Sequence, residues 1–180
     1  RFLQKKKEVF ATGRNPHTVQ KLKEWGVPCV PLDITKKEDF ELLPKENVEA
    51  VILLGGLLPA NSKVDISNEE NADDYIRINV IGTINVLEYC RKNGIQKMIT
   101  CSSYADVAGA WKKGVALKES EPRNYKFTGD HAVYVISKNA ANDVIEYHNQ
   151  QHGMQGAAFR LPPVYGVGPH GSIYVNGKPY

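Results

Sequence analysis

The sequence has no apolar run long enough to span a bilayer and no visible signal peptide. We therefore expect no membrane partner. It also lacks a strong charge of one sign, because the net charge is only +3 and the lysines are spread along the chain. The one basic run, Lys5 to Lys7, is typical of a solvated helix end. A nucleic-acid-binding function is therefore not expected.

Cysteine is scarce as well. The three cysteines, Cys29, Cys90 and Cys101, fall inside predicted strands or helices and do not have metal-ligand spacing. This pattern argues against both a disulfide framework and a metal site. It fits reduced thiols and predicts a cytoplasmic protein.

Strand-like and helix-like segments alternate along the chain. This alternation predicts the α/β class, with right-handed βαβ units and a parallel sheet covered on both faces. Strands are predicted at 8–12, 28–32, 48–54, 97–101 and 155–161. Helices are predicted at 17–25, 37–43, 71–92 and from a cap at Asp130 to His152, where Gly153 provides a stop.

The pentapeptide from Tyr134 to Lys138 places a phenol and an ammonium one turn apart on the last predicted helix. A nearby ammonium favours the phenolate. Lowering the phenol pKa from about 10 toward neutrality requires about 4 kcal/mol. Such a tyrosine would be a usable acid and base for hydride-transfer chemistry. Taken alone, the pair is equally compatible with two ordinary exposed side chains.

The same spacing recurs at Tyr174 and Lys178. About one such match per chain of this composition is expected by chance. The second match contains Asn176-Gly177, a pair typical of tight turns, so its tyrosine and lysine do not share a helix face. We interpret it as the chance match.

Polar and small residues follow the predicted strands, at the edge where open parallel sheets bind ligands. In chain order they are Gly13-Arg14-Asn15, Asp33-Ile34, Gly55-Gly56, Ser102-Ser103 and Pro162-Pro163-Val164. An Asn-x-x-Gly-Thr-x-Asn-x-Leu pattern runs from Asn79 to Leu87 on the helix between the third and fourth strands. With Tyr134 and Lys138, this ordered set resembles the extended short-chain dehydrogenase/reductase superfamily, of the NAD-dependent epimerase/dehydratase type.

The resemblance implies a Rossmann-type doubly wound parallel sheet. Residues 1–161 would form the NAD(P)-binding domain, and residues 162–180 would begin the substrate-binding region. We expect a chain truncated at both ends, lacking the first strand with its Gly-rich loop and the C-terminal substrate part. The glycines from Gly166 to Gly171 are not that loop, because Pro169 interrupts them and a strand pattern follows.

The resemblance also implies the activity, which is NAD(P)-dependent hydride transfer on a hydroxyl or carbonyl of a small molecule, with a nucleotide sugar as one option. The implied catalytic residues are Tyr134, Lys138 and Ser103, and Lys138 would also bind the nicotinamide ribose. The other implied cofactor-binding residues are Arg14, Asn15, Asp33, Ile34, Leu54, Gly55, Gly56, Asn79, Ser102, Leu161, Pro162 and Val164. A homodimer is the oligomer that this resemblance allows.

Several alternatives stay open at this point. Arg14 replaces the acidic residue that selects NAD and so favours NADP, but it is also compatible with a plain surface arginine. In the family pattern, counted back from Gly109, the position of the catalytic serine or threonine falls on Tyr104. We favour Ser103 as the catalytic residue, with a loop that is one residue longer in this chain. Pro163 stands where sugar-nucleotide epimerases have an asparagine, which argues against a nucleotide sugar. Epimerase, dehydratase and dehydrogenase chemistry are not distinguished, and a non-catalytic NADP sensor or scaffold of the same fold is the alternative.

Overall fold

A computed structural model describes residues 7–59, 72–112, 114–128 and 132–162, with the backbone of 174–175 and 178–179. The strands are β1 (Ala11–Gly13), β2 (Cys29–Pro31), β3 (Ala50–Leu53), β4 (Lys97–Ser103), β5 (Gln155–Leu161), β6 (Tyr174–Val175) and β7 (Lys178–Pro179). The α-helices are α1 (Pro16–Glu24), α2 (Ala72–Tyr75), α3 (Gly82–Lys92) and α4 (Ala132–His152). Short 3₁₀ helices cover Lys37–Leu42 and Tyr104–Ala110. The predicted alternation of strands and helices is confirmed, with boundaries moved by a few residues.

The first five strands form two parallel sheets. One consists of β1 and β2, and the other has the order β3-β4-β5. Leu53 is in register with Thr100, and Thr100 with Ala158. The predicted α/β class is therefore confirmed. Since all strands of a parallel sheet point the same way, their carboxyl ends share one edge.

The core lies between the three-stranded sheet and helices α3 and α4. Leu53 and Met98 on the sheet pack against Leu87 and Cys90 of α3 and Ile145 of α4. The strand residues that alternate with these point to the other face, where Ile52, Ile99 and Phe159 are exposed. Within the described residues, the apolar packing is therefore concentrated on the helix side of the sheet.

The helix predicted over residues 71–92 is interrupted by a π-helical turn, Ile76–Ile81, between α2 and α3. A π turn holds more residues than an α turn and so rotates the helix face. Helical spacing of the apolar residues puts Ile76, Leu87 and Cys90 on one predicted face, and Leu87 and Cys90 are buried whereas Ile76 is exposed. Tyr75 and Asn79 occupy the interior instead.

Two helix ends use glycine in the left-handed conformation. Gly94 has φ 68° after α3, and Gly153 has φ 65° after α4. This conformation is unfavourable for other residues and lets the chain leave the helix toward the next strand. The stop predicted at Gly153 is confirmed.

The second Tyr-x-x-x-Lys match is not helical. Tyr174 and Lys178 belong to β6 and β7, which pair in antiparallel fashion with Val175 opposite Lys178. The prediction that this tyrosine and lysine do not share a helix face is confirmed. The stretch from Gly166 to Gly171 lies outside the described residues.

No described helix is both long and apolar enough to cross a bilayer.

Glu88 on α3 forms an ion pair with Arg91 on the same helix and lies 3.4 Å from the His148 ring of α4, which leads to a pH-dependent prediction. Arg91 lowers the pKa of the Glu88 carboxyl to about 2, with a further contribution from the buried His148. The lowered pKa means that Glu88 stabilises the fold above its unfolded pKa of about 4.5, and that this stability is lost as the pH falls toward about 2. Because Glu88 is partly exposed, we expect Glu88→Gln to cost only about 0.5–1 kcal/mol at pH 7.

Urea unfolding at pH 7, 5 and 3 measures this effect. The difference between the wild type and Glu88→Gln should shrink as the pH falls. Glu46→Gln makes the same charge change at an exposed position and should leave the midpoint unchanged. A difference for Glu88→Gln that stays constant across this range would contradict the assignment.

Candidate functional site

The predicted site residues come together at the carboxyl edge of the sheets. Gly13 is in register with Pro31, so Arg14 and Asp33 follow neighbouring strand ends. Gly55 lies close to the Ile34 side chain, because a Cβ atom on Gly55 would be 3.9 Å from Cδ1 of Ile34. The segments that follow β2 and β3 are therefore neighbours. Residues far apart in the chain therefore share one surface.

Asp33 forms a local turn at this edge. Its Oδ1 accepts hydrogen bonds from the Thr35 amide at 3.0 Å and the Thr35 hydroxyl at 2.8 Å. The hydrogen bond from the Thr35 amide is the main cause that lowers the pKa of the Asp33 carboxyl, and the charges of Arg14 and Lys36 lower it further. Arg14 is exposed and close enough to Asp33 for its charge to lower the pKa of that carboxyl.

Ile34 is held in place by α3. The Asn85 amide donates to the Ile34 carbonyl at 2.9 Å. A Cβ on Gly82 would lie 2.6 Å from the Ile34 side chain, so only glycine permits this approach. The Asn-x-x-Gly-Thr-x-Asn pattern thus fixes the backbone at the end of β2.

The turn after β3 is open to solvent. Leu54 is 74% exposed, and Gly55 and Gly56 are exposed as well. A Cβ on Gly56 would lie 3.1 Å from Oδ1 of Asn79, so the turn sits tightly over that buried amide. Because these two glycines have no side chain and are exposed, the backbone of the turn is accessible from solvent.

Asn79 joins this turn to α4. Its Oδ1 accepts from the Leu57 amide at 2.7 Å, and its Nδ2 donates to the Leu57 carbonyl at 3.1 Å and to Ser137 Oγ at 2.9 Å. Ser137 in turn donates to the Tyr134 carbonyl at 2.7 Å. Asn79 is only 3% exposed, so its buried side chain connects the turn after β3 to α4. Direct contact of Asn79 with a cofactor stays a prediction.

Tyr134 and Ser103 are brought together at the end of β4. The Ser103 side chain is close enough to the Tyr134 hydroxyl to affect its pKa, and the Tyr134 ring meets Tyr75 edge to face at 6.2 Å between centroids. Ser103 also accepts from the Ala105 amide at 3.2 Å, which caps the following 3₁₀ helix. Tyr104, the other residue considered for the catalytic hydroxyl, is exposed instead. The geometry therefore favours Ser103 as the hydroxyl partner of Tyr134.

The predicted fall in the Tyr134 pKa is not what the structure shows. Burial raises the pKa of the Tyr134 phenol, and the Ser103 side chain only partly opposes this. Burial also lowers the pKa of Lys138, with the Cys101 thiol nearby acting in the opposite direction. Both charged forms lose hydration in the interior, and this loss is the largest influence on each pKa.

Other predicted residues have structural contacts. Asn15 caps α1 by accepting from the His17 amide at 2.9 Å. The buried Ser102 accepts from the Asn142 amide at 2.8 Å, which attaches α4 to β4. Their roles toward a cofactor stay predictions. Leu161 and Pro162 are exposed at the end of β5, and Val164 lies outside the described residues.

Sequence reasoning missed an ion pair beneath the site. Arg160 Nε on β5 lies 3.0 and 3.1 Å from the two carboxylate oxygens of the buried Asp106, on the segment that follows Ser103. It also missed Ser137, although this serine lies between Tyr134 and Lys138. Neither contact has a local sequence signal, because each partner is more than 50 residues away in the chain.

The parallel α/β fold places the protein in the class of short-chain dehydrogenase/reductase folds. The model of the NAD dependent epimerase/dehydratase family matches residues 1–178. The chain belongs to this family.

Individual relatives agree with this assignment. The chain is 31% identical over 137 residues to a putative UDP-glucose 4-epimerase of Methanocaldococcus jannaschii, covering 76% of this chain and 41% of that protein. The UDP-glucose 4-epimerase of Thermus thermophilus, solved in complex with NAD, has a TM-score of 0.61 and 21% identity. RMD from Pseudomonas aeruginosa, solved with NADPH, has a TM-score of 0.61 and 19% identity. Each alignment covers 84% of this chain, and 54% and 52% of those structures. The chain thus spans about half the length of the proteins it resembles.

Proposed function

We propose that the protein is an NAD(P)-dependent oxidoreductase or epimerase that acts on a hydroxyl or carbonyl group of a sugar-like substrate. Family membership and the sugar epimerases among its relatives support the reaction class. Because the chain spans only 41% of its epimerase relative, the activity of the whole protein is part of this proposal.

The observation that carries the proposal is the closeness of the Tyr134 hydroxyl and the Ser103 side chain at the end of β4. Lys138 follows one helical turn after Tyr134. A tyrosine and a serine at the same place can both bind one substrate oxygen, so the tyrosine can accept the hydroxyl proton while the serine holds the oxygen in place. The ammonium of Lys138, partly buried, stabilises the phenolate once the substrate has excluded water.

The residues at the sheet edge fit NAD or NADP. Bound there, the dinucleotide supplies the hydride acceptor. Asp33 and Ile34 would flank the adenosine, and the open Gly55-Gly56 turn would let the cofactor approach the backbone. Arg14, exposed beside Asp33, would pair with a 2′-phosphate. Lys138 would hold the nicotinamide ribose.

The test of this proposal is turnover by the full-length protein. Purified protein is incubated with NAD or NADP and a panel of free and nucleotide-linked sugars, and reduced cofactor is followed at about 340 nm while products are identified by NMR. Net reduction of the cofactor indicates a dehydrogenase. Inversion at one carbon without net reduction indicates an epimerase, and loss of water a dehydratase. Tight cofactor binding with no turnover of any kind would favour the sensor or scaffold alternative.

Cofactor choice gives a separate prediction. If Arg14 pairs with the 2′-phosphate, Arg14→Ala should weaken NADP binding by about 1–3 kcal/mol, because a charge-assisted hydrogen bond is lost. NAD lacks this phosphate and should bind as before. Calorimetric titration of both cofactors measures the difference. Lys23→Ala removes one positive charge from an exposed position on α1 and serves as the control. Equal losses for NAD and NADP would reject the assignment.

A further inference from the structure

A pocket of about 360 Å³ lies beside the Tyr134 and Ser103 pair. Its walls come from the 3₁₀ segment that follows Ser103, from residues 125–128 and from the start of α4. Val135, the residue after Tyr134, lines the pocket, and Tyr104, the residue after Ser103, lines it too. Ala105 and Tyr125 both line the pocket and pack against the cluster that contains Tyr134. The pocket therefore adjoins the proposed reaction centre.

The two walls of the pocket are fixed to each other. The Asn124 amide donates to the Asp106 carbonyl at 2.7 Å, and the Gly109 amide donates to the Asn124 carbonyl at 2.7 Å. A Cβ on Gly109 would lie 2.7 Å from that same carbonyl oxygen, so the segments are as close as glycine permits. The ion pair of Arg123 with Asp143 anchors the second wall to α4. The pocket is therefore preformed.

The residues that line the pocket are of different chemical types. Ala105, Ala108 and Ala132 form a small apolar part, and Tyr104 and Tyr125 provide aromatic walls. Aromatic faces beside small residues suit the C–H face of a sugar ring, and the volume is at the small end of the roughly 300–1,000 Å³ range of ligand sites.

Lys126 is the one charged residue among the described residues of the lining. Two carboxylates of the neighbouring segments are paired, Asp106 with Arg160 and Asp143 with Arg123. No carboxylate is among the described lining residues, so the anionic group of a ligand can pair with Lys126.

We propose that this pocket binds the carboxylate-bearing end of a sugar acid, with Lys126 pairing with the carboxylate and the two tyrosines flanking the ring. The proposal rests on the proposed function, because it places the substrate hydroxyl next to Tyr134. It makes Lys126 the residue that selects acidic over neutral sugars. The acid can be free or linked to a nucleotide, since both carry the same carboxylate.

The test is equilibrium binding to the full-length protein with cofactor present. D-glucuronate, D-glucose and UDP-glucuronate are titrated calorimetrically into the wild type, Lys126→Ala, Lys126→Arg and the control Lys118→Ala, which removes a lysine outside the lining. We expect the wild type to bind glucuronate at least about tenfold more tightly than glucose, as a charge-assisted bond implies. Lys126→Ala should abolish this preference, Lys126→Arg should retain most of it, and Lys118→Ala should leave it intact.

The outcomes separate this inference from the function proposed above. A Lys126-dependent preference for glucuronate supports the pocket assignment even when no turnover is detected, and in that case only the oxidoreductase proposal fails. The same dependence seen with UDP-glucuronate alone supports the assignment with a nucleotide-linked acid as the source. Equal binding of glucuronate and glucose by the wild type, or equal loss of both in Lys126→Ala, overturns it even if neutral sugars are turned over.

Discussion

Tyr134→Phe should lower the turnover of the full-length enzyme by about 10²–10⁴-fold, while cofactor affinity barely changes. The substitution removes the oxygen that accepts the substrate proton but keeps the ring. The edge-to-face contact with Tyr75 is therefore kept, and the fold should not be disturbed. Steady-state kinetics and cofactor titration of the same preparation measure the two effects.

Two further variants are compared with Tyr134→Phe. Tyr147→Phe makes the same change on an exposed position of α4 and should leave kcat unchanged. Lys138→Ala should reduce both kcat and cofactor affinity, because that ammonium is assigned to the phenolate and to the ribose. Full activity of Tyr134→Phe on a verified substrate would remove Tyr134 from its proposed role as acid and base.

Asn79→Ala should destabilise the fold by about 2–4 kcal/mol. The change removes the partner of the Leu57 amide and the Leu57 carbonyl, and the Ser137 hydroxyl loses the bond that it accepts but keeps the one it donates to the Tyr134 carbonyl. Unsatisfied buried polar groups cost about 1–3 kcal/mol each, and relaxation or entering water recovers part of this. Urea unfolding of the full-length protein measures the loss.

Asn93→Ala is the matched control for this prediction. The Asn93 amide donates one hydrogen bond, to the Tyr89 carbonyl at 2.8 Å, at the partly exposed end of α3. Its loss should cost less than about 1 kcal/mol, because water can replace the asparagine. If both variants lost the same stability, Asn79 would not be the central connection between the β3 turn and α4.

The sequence by itself determined the α/β class, the order of the elements and the residues that follow each strand. These features depend on local patterns, such as the apolar runs of the strands and the glycine at the end of α4, and such patterns need no knowledge of distant partners. That Tyr174 and Lys178 do not share a helix face was predictable for the same reason. Strand β5 was predicted at its observed bounds, Gln155–Leu161.

The tertiary structure decided which residues around Asn79 face the interior and in which direction the pKa of Tyr134 shifts. The π turn before α3 places Tyr75 and Asn79 inside, where a continuous α-helix would have placed Ile76. The spacing of Tyr134 and Lys138 indicated a lowered phenol pKa, but burial raises that pKa, since hydration depends on everything packed around the pair.

Long-range contacts were likewise beyond the sequence. The bonds from Asn79 to Ser137 and from Arg160 to Asp106 join residues 58 and 54 positions apart, and the pocket beside Tyr134 exists only because two loop segments are held together. A sequence pattern states which chemical groups are available. Which of them meet, and how much water they keep, is fixed by the packing of the folded chain, because hydrogen bonds and hydration depend on distances in space.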